Sequence, residues 1–306
     1  MAGEMIAEAS TLAPEAPQPL TQDWIDQRIF DLYDEYCHGH IDRREFLARS
    51  AAVAGGLAMA QALLPRYAQA QTISFTDTRI KARYVTYPSP GGTSGTMRGY
   101  LVQPSGPGPF ATVLVIHENR GLNDHIRDMA RRVALAGYRA VAPDMLSLSG
   151  GTPASEDARD AIGKLDLSKS VGDAVGFVDE LAESSRGGKV GAVGFCWGGG
   201  FVNRLAVAAD KLAAAIPYYG PAPDPAEAPK VHAAMEFHNA GLDDRVNATS
   251  FPWIAALRNA GKTVKFFLYD GVNHAFNNDT SAERYNKEAA DLAWKRTLAF
   301  FKQHLG

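Results

Sequence analysis

Beyond residue 72, short runs of apolar residues alternate with longer stretches in which apolar residues recur every three or four positions. A short apolar run predicts a buried strand, and the longer spacing predicts an amphipathic helix. The predicted strands cover residues 80–87, 97–103, 111–117, 140–142, 190–193, 213–218, 231–237 and 263–269. The predicted helices cover residues 123–136, 170–183, 201–209, 249–259 and 281–302. This alternation predicts an α/β protein whose mostly parallel sheet is covered by helices on both faces.

No repeat and no interdomain linker is present after residue 72, so we predict one domain over residues 71–306. The last helix carries five apolar residues at helical spacing, which we expect to be buried. They are Ala289, Leu292, Ala293, Leu298 and Phe301.

The first seventy residues have a different pattern. Residues 1–20 are rich in Ala, Pro and Glu, which is typical of disorder, and residues 24–36 have the spacing of one short amphipathic helix. Neither stretch belongs to the alternating strands and helices of the main domain. We therefore predict that residues 1–70 form an extension outside the core.

The end of this extension resembles a twin-arginine export signal. Arg43 and Arg44 precede Phe46 and Leu47. Sixteen uncharged residues follow at 50–65, and the stretch ends with a small-x-small motif at 68–70. The uncharged segment is too short and too rich in Ala and Gly to span a bilayer stably. We expect a periplasmic or secreted enzyme that engages the export machinery and is cleaved near residue 70. The alternative is a cytoplasmic protein with an uncleaved N-terminal helix, which the forty or so residues preceding the arginine pair favour.

Composition and charge exclude several classes of protein. The 306 residues are 46% hydrophobic and 21% charged, as in ordinary globular proteins. The 31 Lys and Arg nearly balance the 34 Asp and Glu, so no broad basic surface is available for a phosphate backbone and nucleic acid is not an expected partner.

Only two cysteines are present, Cys37 and Cys196, which excludes a disulfide scaffold and a four-cysteine zinc site. The sequence Cys37-His38-Gly39-His40 lacks further ligands at useful spacing, and we predict neither a metal nor a cofactor. If the extension is removed, Cys196 has no cysteine to pair with, which makes another use of its thiol more plausible.

The sequence around Cys196 is the strongest chemical motif of the chain. Gly194-Phe195-Cys196-Trp197-Gly198 follows a predicted strand and precedes a predicted helix, as in the nucleophile elbow of α/β-hydrolases, here with cysteine in the nucleophile position. Glycine is needed on either side because the sharp turn brings the strand and the helix too close for side chains. The alternative is a cysteine buried as a small apolar residue in a glycine-rich loop.

Two further residues at predicted strand ends complete a catalytic set. Asp243 follows the strand at 231–237, and His274 follows the strand at 263–269, so the chain order is nucleophile, acid, histidine. A thiol attacks as thiolate, so an imidazole must share its proton, and a carboxylate holds the tautomer of that imidazole. Taken singly, a loop aspartate or a surface histidine has ordinary structural explanations, but three in this order predict a Cys-His-Asp triad.

These residues and the sequence His117-Glu118-Asn119-Arg120-Gly121 resemble the dienelactone hydrolase family over most of residues 80–304. The resemblance implies an α/β-hydrolase fold and hydrolysis of an ester or a lactone. In that family a glutamate at the position of Glu118 lies beside the thiol and takes part in its activation. Carried over, Glu118 holds the resting thiol of Cys196 and releases it when substrate displaces the carboxylate.

The same resemblance places an oxyanion hole at the backbone N–H groups of Asn119 and Trp197. The family's best-known members hold the substrate carboxylate with two arginines, but neither 143–148 nor 274–278 contains one. This departure leaves the substrate open. The candidates for the substrate pocket are Arg120, with Arg245 as a further arginine, and the aromatic residues Tyr218 and Phe276, which core packing explains equally well.

The sequence thus predicts a hydrolase that cleaves a small ester or lactone through an acyl-enzyme at Cys196. One alternative is a carboxylesterase or thioesterase that uses the same triad. A second, from another class, is a non-catalytic or redox-sensing protein that uses the fold as a binding scaffold.

Overall fold

A computed structural model describes residues 43–54, 73–74, 77–89, 95–153, 158–184, 188–281 and 284–306. The chain divides into two units, Met1–Pro65 and Arg66–Gly306. In the first unit the described residues form helix α1, Arg43–Ala54. The predicted disorder at 1–20, the helix at 24–36, the motif at 37–40 and the cleavage motif at 68–70 lie outside the described residues. None of the helices in the described ranges is long and apolar enough to cross a membrane.

The described part of the second unit is built around one eight-stranded sheet in the order β1-β2-β4-β3-β5-β6-β7-β8. Its strands are β1 Ile80–Ser89, β2 Gly95–Pro104, β3 Thr112–Ile116, β4 Arg139–Asp144, β5 Val190–Phe195, β6 Leu212–Tyr218, β7 Ala234–Ala240 and β8 Val264–Tyr269. β1 pairs antiparallel with β2, and β2 pairs antiparallel with β4. All the other described pairs are parallel, so the carboxyl ends of β3 to β8 lie at one edge.

Helices cover both faces of this sheet. They are α2 Asp124–Leu135, α3 Arg159–Gly163, α4 Leu167–Ser184, α5 Trp197–Ala208, α6 Asp244–Asn259 and α7 Lys287–Leu305. One core cluster contains residues of α2 and α7, and the other contains residues of α4, α5 and α6. In β3, Val113 and Val115 belong to the first cluster, while Leu114 and Ile116 belong to the second. Because each face needs apolar side chains, the strand has the continuous apolar run seen in the sequence. The predicted fold class is confirmed.

Several predicted boundaries are wrong. The helices expected to begin at 170 and 201 begin at Leu167 and Trp197. The strand expected at 231–237 is observed at Ala234–Ala240, since Pro225–Lys230 forms a 3₁₀ turn and the chain enters the sheet later. The helix expected at 249–259 begins at Asp244, where Asp243 caps it. The helix expected at 281–302 begins only at Lys287, capped by the side chain of Asn286. The short helices and turns between Ser147 and Gly163 were not predicted.

The buried face of α7 also differs from its prediction. Ala289, Ala293 and Phe301 are buried as expected, but Leu292 is 43% exposed and Leu298 is only partly buried. Phe300 and Thr297 lie in the core instead. The buried stripe therefore runs along a neighbouring line of the helix.

Candidate active site

Cys196 lies at the turn between β5 and α5, with φ of 55° and ψ of −113°. A residue with a Cβ rarely adopts this backbone conformation, which persists only where the surroundings enforce it. Backbone hydrogen bonds on both sides do so here. The Cys196 N–H donates to the carbonyl of Tyr218 at 3.1 Å, and the Gly200 N–H donates to the carbonyl of Cys196 at 3.1 Å.

The glycines around Cys196 leave no room for a side chain. A Cβ on Gly194 would lie 2.2 Å from the carbonyl oxygen of Gly198, and one on Gly198 would lie 2.4 Å from that of Ile116. A Cβ on Gly199 would lie 2.5 Å from the carbonyl oxygen of Tyr218. Backbone packs directly against backbone here, so the steric reason predicted for the flanking glycines is confirmed.

His274 lies between Asp243 and Cys196. Asp243 ends the loop after β7, and its Oδ1 accepts a hydrogen bond from Val246 N–H at the start of α6. Its Oδ2 forms a short hydrogen bond with His274 Nδ1. His274 lines one cavity with Cys196, and interaction with the Cys196 side chain contributes to raising the pKa of His274. The structure therefore brings together the three residues predicted as a triad.

Charge at this site favours a protonated imidazole. Burial by itself lowers the pKa of His274, but hydrogen bonds with Asp243 and Cys196 and the negative charge of both raise it to about 9. Burial raises the pKa of Asp243, and this is outweighed mainly by the hydrogen bond and charge of His274, so the net pKa is lowered. At neutral pH, Asp243 is thus an anion and His274 a cation beside the thiol.

Tyr219 forms one wall behind the thiol. Its side chain is fully buried, and its ring lies 5.0 Å from the His274 ring between centroids. Burial, together with the charges of Glu118 and Cys196, raises the pKa of Tyr219 well above its ordinary value, so the residue stays neutral.

Glu118 follows β3 and is 5% exposed. Its Oε2 accepts a hydrogen bond from Asn278 Nδ2 at 2.8 Å, while its Oε1 is buried with no hydrogen-bond partner among the described residues. An unpartnered carboxylate oxygen in a buried position is costly, which indicates a site that a ligand or a moving group completes.

A cavity of about 590 Å³ opens onto Cys196, Glu118 and His274. Two predicted site residues, Asn119 and Arg120, contribute to its walls, and so does Arg245. The remaining walls are Leu242, Asp243, Asn273, Ala275, Asn278, Thr280, Ser281 and Arg284. The carboxylates that line this cavity, Glu118 and Asp243, are buried. The three arginines that line it, Arg120, Arg245 and Arg284, are exposed.

Two of the predicted pocket residues belong to the core instead. Tyr218 and Phe276 are both fully buried in the first core cluster, and the Tyr218 hydroxyl bonds Thr297 at 2.7 Å. The Trp197 side chain stacks on His117 with ring centroids 5.5 Å apart. These aromatic side chains near the elbow therefore pack against the protein interior rather than line the cavity.

The sequence reasoning missed Asn278 and Arg284, which join the site from the loop between β8 and α7. Asn278 lies in the stretch after His274 in which the best-known members of the family carry an arginine. That location was the only feature of the sequence that could have identified Asn278 as a site residue. Thr152 was also missed. Its hydroxyl accepts from Leu122 N–H at 2.8 Å and donates to Asp144 at 2.9 Å, which ties the loop after β3 to the loop after β4.

Across the ranges that the structure describes, no three His, Cys, Asp or Glu side chains are arranged to hold a metal ion. The chemistry that these residues support by themselves is nucleophilic attack by a thiolate with proton transfer through an imidazole. The sharp turn after β5 and the mostly parallel sheet with helices on both faces together define an α/β-hydrolase fold.

Comparison with known proteins specifies the family. The model of the dienelactone hydrolase family matches residues 97–305, so the chain belongs to that family and is an enzyme of its ester- and lactone-hydrolysing class. A second model, YqhI-like, matches residues 17–55 of the N-terminal extension.

Two relatives and one solved structure illustrate the similarity. A protein from Methylorubrum extorquens named as a carboxymethylenebutenolidase is 30% identical over 277 residues, which cover 84% of this chain and 94% of the relative. The Escherichia coli hydrolase fragment YghX is 55% identical over 102 residues, covering 33% of this chain and 86% of the fragment. The crystal structure of a protein from Klebsiella pneumoniae, titled as a dienelactone hydrolase, aligns with a TM-score of 0.64 at 28% identity. That alignment covers 74% of this chain and 99% of the other.

Proposed function

We propose that this enzyme hydrolyses a small ester or lactone through a thioester intermediate on Cys196. The observation that carries the proposal is that His274, hydrogen-bonded to Asp243, lines one cavity with Cys196, which lies at a strained turn. In the proposed reaction the thiol proton passes to the imidazole, and the sulfur attacks as a thiolate.

The proposed reaction has two halves. In the first, the Cys196 sulfur bonds to the carbonyl carbon, the carbonyl oxygen becomes an oxyanion, and the C–O bond to the leaving group breaks as His274 donates its proton to that oxygen. In the second, a water molecule attacks the thioester carbon while His274 accepts a proton from it. The carbon–sulfur bond then breaks, which releases the carboxylic acid and restores the thiolate. Asp243 orients the imidazole and stabilises its charge throughout.

The oxyanion is expected to bind the backbone N–H groups of Asn119 and Trp197. Trp197 is the first residue of α5, and the first N–H groups of a helix have no partner within it. Asn119 lies on the cavity wall beside Glu118. A pair of N–H donors fixed in place before reaction stabilises charge as it develops on the carbonyl oxygen.

The three exposed arginines along the cavity indicate the substrate. Arg120 and Arg245, which the sequence offers in place of the family's absent arginines, line the cavity with Arg284. Guanidinium groups bind carboxylates through paired hydrogen bonds, so we propose that the acyl compound carries a negative charge away from the scissile bond. A neutral substrate of a carboxylesterase or thioesterase would form no ion pair with these arginines.

Replacing the nucleophile or the base tests the reaction. Cys196→Ala and His274→Ala are each expected to lower kcat at least 10³-fold on a panel of p-nitrophenyl esters and lactones, since nucleophile and base act as a unit. His232→Ala changes an exposed histidine of another surface and serves as the matched control. If both variants hydrolyse as fast as the parent enzyme, the triad assignment is wrong. Comparing the ester and lactone arms separates carboxylesterase from lactonase activity.

Removing a guanidinium tests the substrate class. Arg245→Ala and Arg284→Ala are expected to raise KM about tenfold for an ester that bears a distal carboxylate, the loss of one charge-assisted contact. The KM for the matching neutral ester should not change. Arg258→Ala, an exposed arginine on α6 outside the cavity, is the control. Equal effects on the charged and the neutral ester would refute an anionic substrate.

A further inference from the structure

Glu118 and Asn278 form a pair beside the thiol that the triad does not require. Both side chains are buried, both line the cavity with Cys196, and they are joined by the 2.8 Å hydrogen bond from Asn278 Nδ2 to Glu118 Oε2. An amide donor held against a carboxylate fixes the rotamer of that carboxylate. The pair therefore decides where Glu118 points.

The orientation of the Asn278 amide is itself determined. Its Oδ1 accepts from the Thr280 N–H at 3.0 Å and from the Thr280 hydroxyl at 2.6 Å. With the oxygen occupied by two donors, the NH₂ group must be the end that faces Glu118. In this series Thr280 donates to Asn278, and Asn278 in turn donates to Glu118.

The loop that carries Asn278 is anchored to α2 and cannot easily move away. Asp279 accepts from Arg132 Nη2 at 2.5 Å, and its other oxygen lies 3.2 Å from His125 Nδ1. The Asn278 N–H donates to the carbonyl of Ala275 at 3.0 Å. The donor that faces Glu118 is consequently presented from a fixed backbone.

We propose that Asn278 is a positioning residue that keeps the Glu118 carboxylate turned away from the Cys196 thiol, so that the thiol is shared with His274 alone before substrate binds. The inference rests on the proposed nucleophile. It differs from the expectation that Glu118 holds the resting thiol, because here the carboxylate has a neutral amide partner of its own. If that amide is lost, Glu118 is free to rotate and accept a hydrogen bond from the thiol S–H, which keeps the proton on sulfur and withdraws the thiol from the imidazole.

The experiment compares four variants of the full chain: Asn278→Leu, Glu118→Gln, the double variant, and Asn277→Leu as control. Asn277 is the neighbouring buried amide, and its Nδ2 lies 3.8 Å from Met129 sulfur rather than near Glu118. The readouts are the rate of iodoacetamide alkylation of Cys196, followed on the Cys196 peptide by mass spectrometry, and kcat and KM for a p-nitrophenyl ester.

Asn278→Leu is expected to slow alkylation and lower kcat about tenfold, the effect of one lost hydrogen bond to a charged group, with KM changed less than about twofold. Asn277→Leu should react like the parent. In the Glu118→Gln background, Asn278→Leu should have almost no further effect, because no carboxylate is left to hold the thiol in its protonated form. Thr280→Val removes one of the two donors to Asn278 Oδ1 and so holds the amide less firmly, and it should give a smaller loss in the same direction if Asn278→Leu fails to fold.

The proposal is overturned if Asn278→Leu has equal effects with and without the Glu118 carboxylate, or if Asn277→Leu loses as much. A Cys196→Ala enzyme that still hydrolyses the ester defeats the proposed function instead. Because alkylation is measured without turnover, the two failures are distinguishable.

Discussion

At the scale of single residues, the site consists of groups whose charge depends on their neighbours. His274 has its pKa raised to about 9 by Asp243 and Cys196 against the opposing effect of burial, whereas Tyr219 stays neutral because it is buried beside negative charge. The identities of Cys196, Asp243 and His274 were predictable, since each follows a strand in the order that one fold uses. The partner of Glu118 was not, because pairing between the loops after β3 and β8 leaves no local pattern in the sequence.

Asp243→Asn tests the origin of the histidine charge. Without the carboxylate, the pKa of His274 should fall from about 9 toward its ordinary 6.5. Since protonated His274 supplies the leaving-group proton, the activity of the parent enzyme declines as pH rises through about 9, and this decline should move to lower pH in the variant. We also expect a kcat roughly 10³–10⁴-fold lower.

The measurement is kcat/KM for an ester between pH 5 and pH 10. Asp244→Asn, which neutralises the adjacent exposed carboxylate, is the control and should keep the parent profile. A variant whose high-pH decline stays in place would show that Asp243 does not set the charge of His274.

At the scale of elements, the alternation of strands and helices and their layers were predictable from the sequence, while the order of strands in the sheet and several boundaries were not. The β7 strand was predicted to end at residue 237 because His238 and Asn239 are polar, yet both are buried within the strand. His238 is accommodated by Tyr269 at 2.9 Å and Thr297 at 3.1 Å, partners contributed by β8 and α7. Such compensation comes from distant elements, so a single segment cannot reveal it.

Gly198→Ala tests the fit of the elbow. The added methyl group would lie 2.4 Å from the Ile116 oxygen and 2.5 Å from the His117 oxygen, so β3 and α5 must separate. We expect a loss of about 2–3 kcal/mol in the free energy of unfolding and near-complete loss of activity, because overpacked sites shift the backbone.

Gly163→Ala is the control, since a Cβ at that position meets nothing within 4 Å. Both variants are compared by urea denaturation and by ester hydrolysis. Parent-like stability in Gly198→Ala would mean that the strand and the helix are not in contact as described.

At the scale of the whole molecule, stability should depend on the buried histidine of β7. Burial lowers the pKa of His238 below its ordinary 6.5, although the hydrogen bond and charge of Glu236 oppose this. The folded protein therefore keeps His238 neutral at a pH where the unfolded chain binds a proton. Its contribution to stability is fully present above pH 6.5 and is lost as pH falls below that value.

His238→Gln removes this titration. Between pH 7.5 and pH 5.5 the parent should lose about 1 kcal/mol more free energy of unfolding than the variant, measured by urea denaturation at both values. The buried His117, also with a lowered pKa, is retained in both proteins and cancels in the comparison. Identical pH dependence would exclude His238 as a source of acid sensitivity.

We also propose that the N-terminal extension directs export. N-terminal sequencing of the protein from periplasmic and cytoplasmic fractions should find a start near Gln71 in the former, and replacing Arg43 and Arg44 by Lys should retain the full chain in the cytoplasm. The same replacement of Arg79 and Arg83, beyond the signal, is the control. An intact Met1 in cytoplasmic protein would refute the proposal.

The turn that carries Cys196 is held by contacts between main-chain atoms, and these contacts are distinct from the side chain that reacts. Gly194, Gly198, Gly199 and Gly220 close the turn through main-chain atoms, and no atom of the Cys196 side chain takes part in those contacts. The turn therefore requires glycine at these four positions, but its geometry does not require sulfur as the terminal atom of residue 196. A smaller oxygen nucleophile, as in Cys196→Ser, should be housed without refolding, so chemistry at this position is free to diverge while the surrounding frame stays the same.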